Sequence, residues 1–208
     1  MTKIALKICG VMKSDDAIRL AGLGVDYIGL NFIAQSNRKI TAKMALEISA
    51  AVKVKGIKIV ALFRDQSMVR IKDIVDSIQP DFVQLHGSEH HSYVESLAVP
   101  VIKSIPIGRN ASSEEIIDYM RRYRAAIYLL DRETQGQGNG VDLKLAKLLI
   151  NSNANRIILA GGINPNNIDE ILSQVQPFGI DISSGVRTEN EIDFTKVESI
   201  IASIRSGS

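Results

Sequence analysis

The sequence predicts a single-domain α/β protein, a (β/α)8 TIM barrel formed by residues 1–208, and three observations carry that expectation. Short apolar runs rich in Ile, Val and Leu recur along the chain, each run ends in small or polar residues, and each is followed by a stretch with helical periodicity. This is the pattern of repeated βα units, and it recurs eight times. Strands that are apolar nearly throughout need both faces covered, so a parallel sheet with helices outside is favoured, and eight units then imply closure. An open doubly wound sheet is the alternative arrangement of the same units. The 208 residues suffice for one barrel and are too few for two comfortable domains; no Pro/Gly/Ser-rich linker divides them.

In chain order the strands are placed at Ile4–Cys9, Tyr27–Asn31, Lys58–Leu62, Phe82–Leu85, Val101–Ser104, Ile127–Leu130, Arg156–Ala160 and Gly179–Ile182. Helix starts are read from caps. Ser14 stands before Asp15-Asp16, Thr41 opens a second helix, Ser112 with Glu115 three residues on forms a capping box, and Asn164 precedes Pro165 at a first helical position. His90 and His91 are read as the start of a solvated helix.

Composition narrows the function classes. Apolar residues at 45% and charged residues at 23% are ordinary globular usage, which excludes disordered and collagen-like chains. Basic and acidic residues nearly balance, 25 against 23, and form no basic stripe, so nucleic acid is not an expected partner. The stretch Met1–Lys7 reads as a strand, and no apolar run approaches membrane-spanning length; a cytoplasmic protein without a membrane partner is expected. The single cysteine, Cys9, excludes an internal disulfide and a cysteine-based zinc site, and no HxH or HExxH spacing occurs, so no metal is expected. The run Gly136-Gln137-Gly138-Asn139-Gly140 departs from the G-x-G-x-x-G spacing and lies well past its strand. It is read as a mobile loop, and no cofactor is assigned.

In a barrel the working groups gather at the C-terminal ends of the strands. Strands seven and eight end alike, in Ala160-Gly161-Gly162-Ile163 and Ser183-Ser184-Gly185-Val186. Glycines let backbone approach a ligand and exposed N–H groups attract an anion, so a phosphate fits there; tight turns are the plainer reading of either element alone. Cys9 ends strand one with Lys7 two residues earlier on the same face. A thiol titrates near ~8.5 and a neighbouring cation lowers that, so a thiolate base at the barrel mouth is reasonable, against the alternative of a small buried hydrophobe. Asp131 closes strand six where no helix begins that it could cap. His86, with Gln84 on the same face, is either a satisfied structural histidine or a working one. Arg38, in the loop after strand two, is a surface charge or a fork-shaped donor for a carboxylate.

Taken together, Lys7-Ile8-Cys9-Gly10, Asp26-Tyr27-Ile28-Gly29, Ser36-Asn37-Arg38, Gln84-Leu85-His86-Gly87, Leu129-Leu130-Asp131, Leu159 through Asn167 and Gly179 through Val186 resemble the phosphoribosylanthranilate isomerase family over nearly the whole chain. The resemblance implies an Amadori rearrangement of a phosphorylated sugar with no cofactor or metal. Cys9 would be the general base, Asp131 the general acid and Arg38 the ligand of the anthranilate carboxylate. Gly161, Gly162, Asp181, Ser183, Ser184 and Gly185 would bind substrate, the glycines cradling the phosphate, with Lys7, Gln84 and His86 in support.

The chain departs from that family in three places: Asn37 stands where Pro is usual, Gly138-Asn139-Gly140-Val141-Asp142-Leu143 replaces a longer G-G-T-G loop followed by Phe-Asp-Trp, and Arg187 replaces Glu. The second bears on how the anthranilate ring is covered. Two rival functions share the barrel, a paralogous isomerase acting on another ribose or ribulose phosphate and a non-catalytic phosphosugar-binding protein. The latter has no use for both a thiol and a carboxylate. No protein partner is assigned.

Overall fold

The computed structural model describes residues 3–107, 112–132, 142–152 and 156–206. Eight strands, β1 (Ala5–Cys9), β2 (Tyr27–Asn31), β3 (Lys58–Phe63), β4 (Phe82–Leu85), β5 (Val101–Ile107), β6 (Ile127–Arg132), β7 (Arg156–Leu159) and β8 (Gly179–Ile182), close in sequential order into a barrel. Closure removes the open doubly wound alternative. The paired registers are parallel, for example Cys9 with Gly29, Leu62 with Gln84 and Leu85 with Lys103. Three strands match the residues read from the sequence, and β5 and β6 run on to Ile107 and Arg132.

The helices are α1 (Ser14–Gly22), α2 (Ala42–Val52), α3 (Met68–Ile78), α4 (Ser92–Ser96), α5 (Ser113–Tyr123), α6 (Leu143–Ser152), α7 (Ile168–Gln174) and α8 (Phe194–Ser206). Each follows its strand, and the longer ones bury an apolar stripe: Ile71, Ile74, Val75 and Ile78 on α3, and Val197, Ile200 and Ile204 on α8. Full burial of such side chains contributes roughly 1.5–3 kcal/mol each before entropy is counted. A short antiparallel pair, β9 (Arg187–Thr188) and β10 (Glu191–Ile192), precedes α8. Asp193 then caps α8, and its carboxyl is held below the usual carboxylate range chiefly by the Thr188 hydroxyl and the Lys196 amide.

Three of the four caps stand as read. Thr41 Oγ1 accepts from Met44 N at 3.2 Å, and Ser112 and Glu115 exchange reciprocal bonds at 3.2 Å. The Ser14 cap is corrected. Helix α1 includes Ser14, with Lys13 at the N-cap and no side-chain cap; Asp15 and Asp16 instead sit in the first turn, where the helix dipole favours them. Asn164 caps as read: its Oδ1 takes the Asn166 N–H at 2.9 Å, Asn167 Oδ1 takes the Asn164 N–H at 2.8 Å, and the Ile168 N–H bonds back to the Asn164 carbonyl at 3.1 Å. The turn at Pro165 leads from this cap into α7, whose regular part begins at Ile168. His90 and His91 lie directly ahead of the short α4, as expected, with His90 exposed.

The chain falls into two compact units: Met1–Leu6 with Ile105–Arg122 and Ile127–Ser208, and Lys7–Ser104 with Tyr123–Ala126. Each carries its own share of the strand ends. No helix among the described residues is long and apolar enough to cross a membrane.

Candidate active site

In the unit centred on Lys7–Ser104, Cys9 is the last residue of β1 and is buried, and Lys7 on the same strand is completely buried. The paired residue on β2 is Gly29, where an added Cβ would stand 3.1 Å from Cys9 Sγ and 3.0 Å from Leu62 Cδ1. Glycine at 29 therefore leaves room around the thiol. Gly10 follows in a left-handed conformation at φ +78°, and a Cβ there would meet Arg38 Cδ at 2.6 Å. The stem of Arg38 thus lies against the backbone immediately beyond Cys9.

Arg38 reaches this place because its loop is stitched down. Asn31, the last residue of β2, donates from Nδ2 to Ser36 Oγ at 3.0 Å and accepts the Ile33 N–H at 2.8 Å, while Ser36 Oγ also accepts the Arg38 N–H at 3.1 Å. Among the described residues the half-buried guanidinium of Arg38 makes no ion pair. Asn37, where the family has Pro, is an exposed turn residue. A planar two-point donor whose stem is held against the backbone next to Cys9 suits recognition of a carboxylate.

Gln84 and His86 meet Ser104 of β5. His86 Nδ1 is 2.8 Å and Gln84 Nε2 is 3.1 Å from Ser104 Oγ. Behind them, Glu89 is buried and accepts from Gly87 N, from Asp65 N and from Lys103 Nζ, the last at 3.0 Å. Lys103 is fully buried, donates also to Leu85 O and Gly87 O, and stands 5.2 Å over the Tyr123 ring. Satisfied on both sides, this buried pair fixes the segment after β4. Removing one partner would leave a buried charge, which typically costs about 3–5 kcal/mol.

In the other unit, Asp131 lies near the end of β6, half-buried, and its Oδ1 accepts the Arg132 N–H at 2.8 Å. Gly161 and Gly162 after β7 have φ of +97° and +82°. A Cβ on Gly161 would stand 3.2 Å from Asp131 Oδ1, and one on Gly162 would stand 3.3 Å from the guanidinium of Arg132. The glycine turn is therefore packed against the carboxylate and a cation. Its shape is held by the Gly162 carbonyl, which accepts from both Asn164 Nδ2 and Asn167 Nδ2 at 3.0 Å.

Asp181 is the third residue of β8, half-buried, with Ser183 just beyond it and Ser184–Val186 forming one 3-10 turn. Gly185 is pressed on the preceding loop: a Cβ there would come within 1.9 Å of Ile163 O. Gly185→Ala is expected to push the two glycine-bearing loops apart. Losing one charge-assisted hydrogen bond is worth ~1.5–3 kcal/mol, so affinity for inorganic phosphate should fall at least about tenfold. Titration calorimetry with the folded variant would read this; unchanged phosphate affinity would remove Gly185 from the cradle.

Of the sequence-derived site residues, Cys9 and Arg38 are brought together through Gly10, Gln84 and His86 through Ser104, and Asp131 with Gly161. The run 136–140 and most of the altered segment 138–143 lie outside the described residues. Arg187, on β9, donates from Nη1 to Asn190 O at 2.8 Å. Sequence reasoning missed Ser104, Glu89, Lys103 and Arg132. The available signal was polar residues breaking apolar strands, Lys103-Ser104 inside β5 and Arg132 directly after Asp131 at the end of β6. No group of three His, Cys, Asp or Glu residues able to hold a metal ion occurs among the described residues.

Residues 6–203 match the family model of N-(5'-phosphoribosyl)anthranilate isomerase. The isomerase of that name from Stutzerimonas stutzeri is 34% identical over 209 residues, covering 99% of each chain, and that from Dehalococcoides mccartyi is 32% identical over 213 residues, 97% of this chain and 96% of its own. The crystal structure of the Thermus thermophilus isomerase aligns with a TM-score of 0.86 at 30% identity, over 98% of this chain and 99% of that one. A phosphoribosylanthranilate isomerase in complex with reduced 1-(o-carboxyphenylamino)-1-deoxyribulose 5-phosphate aligns with a TM-score of 0.84 at 27% identity, over the same shares.

Proposed function

Because the chain belongs to the N-(5'-phosphoribosyl)anthranilate isomerase family, we propose that it converts N-(5'-phosphoribosyl)anthranilate to 1-(2-carboxyphenylamino)-1-deoxyribulose 5-phosphate in tryptophan biosynthesis, working as one domain in the cytoplasm. The observation that carries the reading is the family match over residues 6–203, end to end along the barrel. A steady-state assay with freshly made phosphoribosylanthranilate tests it directly; absence of turnover would reject it.

The reaction needs one acid and one base. Asp131 gives a proton to the ribose ring oxygen, the ring opens to a Schiff base, and the Cys9 thiolate removes the C2′ proton to leave an enolamine. Protonation at C1′ and loss of the enol proton then give the ketone. General acid–base groups of this kind typically contribute ~10²–10⁴-fold each. The room that Gly29 leaves beside Cys9 Sγ supports the first assignment, and the position of Asp131 at the end of β6 supports the second.

The phosphate is assigned to the backbone of Gly161, Gly162 and Gly185 with Ser183 and Ser184, and Arg132 beside Gly162 adds the positive charge that backbone amides lack. Asp181, the third residue of β8, is assigned to the substrate with them, and Lys7, fully buried on β1, to a supporting position. No cofactor, metal or nucleic acid enters this chemistry.

Arg38 is assigned the anthranilate carboxylate. Arg38→Lys loses the planar two-point contact and Arg38→Ala loses the charge as well, so kcat/KM should fall stepwise. An analogue made with aniline should react poorly with the unaltered protein, and Arg38→Ala should then cost it little, the non-additivity expected of two groups in direct contact. Additive losses across the four combinations would reject the assignment. Full activity of the unaltered protein on the aniline analogue would do the same.

A further inference from the structure

The loop after β3 reaches to both sides. Gln66 Nε2 donates to Phe32 O, just past β2, at 2.9 Å, and Asp65 bonds the segment that follows β4. Asp65 does this twice. Its N–H donates to Glu89 Oε1 at 3.0 Å, and its Oδ1 accepts the Ser88 N–H at 2.6 Å. Glu89 also takes the Gly87 N–H and is itself held by Lys103 Nζ at 3.0 Å. Backbone N–H groups from both loops are thus satisfied by two carboxylates, one from each loop.

Asp65 adopts a left-handed conformation, φ +54°, which strains a residue with a Cβ and which glycine takes freely. A glycine there would keep the turn and the N–H bond to Glu89, and would lose only the bond to Ser88. What the strained position retains is therefore the side chain. Gly87 makes the same point from the other loop, since a Cβ there would run into the Asp65 carboxyl. Ser88 is exposed, so its bond to Asp65 is what holds this stretch of backbone against competition from water.

We infer that Asp65 is a positioning residue: its carboxylate holds Gly87-Ser88 in place before substrate arrives, so that the segment directly after Gln84 and His86 is already ordered when substrate binds. The substrate meant here is that of the proposed function, on which this inference rests, and Asp65 acts through the segment rather than by touching the sugar phosphate. Without the carboxylate the segment samples other arrangements, and apparent affinity falls by the fraction of molecules in the competent one. Bound substrate orders the segment again, so the chemical step itself keeps its rate.

Asp65→Gly keeps the turn and removes the carboxylate, whereas Asp65→Asn keeps both the turn and an acceptor. Amide hydrogen exchange at Ser88 should quicken at least about tenfold in Asp65→Gly and change little in Asp65→Asn, since one charge-assisted hydrogen bond is at stake. KM for phosphoribosylanthranilate and Kd for reduced 1-(o-carboxyphenylamino)-1-deoxyribulose 5-phosphate should both rise roughly tenfold in Asp65→Gly, with kcat within about twofold and both affinities restored in Asp65→Asn. Affinity for inorganic phosphate should be unchanged in either variant. Should Asp65→Gly fail to fold, Gly87→Ala carries the comparison: its methyl displaces the Asp65 carboxyl and leaves residue 65 intact, and the same rise in Kd and in Ser88 exchange is expected.

Unchanged affinities in Asp65→Gly would overturn the inference and leave Asp65 a turn residue. So would unchanged exchange at Ser88. A loss of kcat at constant KM would also overturn it, because Asp65 would then act on the chemical step. Failure of the isomerase assay, with Kd for the reduced compound responding as expected, would instead reject the proposed reaction and leave the positioning role standing.

Discussion

Cys9→Ala is expected to abolish turnover while leaving the fold and phosphate affinity nearly unchanged, and Cys9→Ser is expected to do the same. Alanine has no base, and a serine hydroxyl is far too weakly acidic to supply an alkoxide at neutral pH, so kcat should fall by ~10²–10⁴. The structural cost is small. Cys9 is a compact side chain between β1 and Gly29, and exchanging sulfur for oxygen or hydrogen there removes little volume. Thermal melting and titration with inorganic phosphate would establish that the variants are folded and keep the phosphate site proposed at Gly161, Gly162 and Gly185. Retention of more than about a tenth of the original rate would remove Cys9 from the mechanism, given the factors general bases supply.

The strands were legible because a barrel strand is buried on both faces, which leaves an unbroken apolar run such as Ile157-Ile158-Leu159 where a half-exposed strand would alternate with polar residues. Caps were legible where the closing bond spans three residues of one helix, as at Thr41 and Ser112. Asn164 was legible for the same reason, since its side chain and that of Asn167 exchange bonds with each other's turn. At the site, Cys9, Asp131 and the glycines announced themselves by standing where apolar strands end.

What escaped was non-local. Lys103 and Ser104 of β5 pair with Gln84 of β4 and with His86 and Glu89 in the loop that follows it, and such pairings depend on the register of β4 against β5. Arg38 illustrates the intermediate case. Its residue type suggested a carboxylate, but its approach to Cys9 depends on Asn31 and Ser36 folding the loop back over Gly10. A one-residue change of register would dismantle the Ser104 group and leave every local motif intact.

Asp131→Asn should reduce kcat by ~10²–10⁴ with KM changed only a few-fold, the signature of an interaction made in the transition state rather than in the ground state. The substitution keeps what the carboxylate does for the structure. An amide oxygen can still accept the Arg132 N–H and still fits against Gly161, where the clearance is that of a 3.2 Å contact. It cannot give up a proton to the ribose ring oxygen, so ring opening loses its acid. Reduced 1-(o-carboxyphenylamino)-1-deoxyribulose 5-phosphate provides the control, because its sugar is already open and needs no such proton. Its affinity for Asp131→Asn should remain within a few-fold of that for the unaltered protein while turnover of the closed substrate is lost. If the open-chain compound bound as poorly as the substrate reacted, or if only KM rose, Asp131 would be a binding residue, and the acid would have to be sought elsewhere on the barrel.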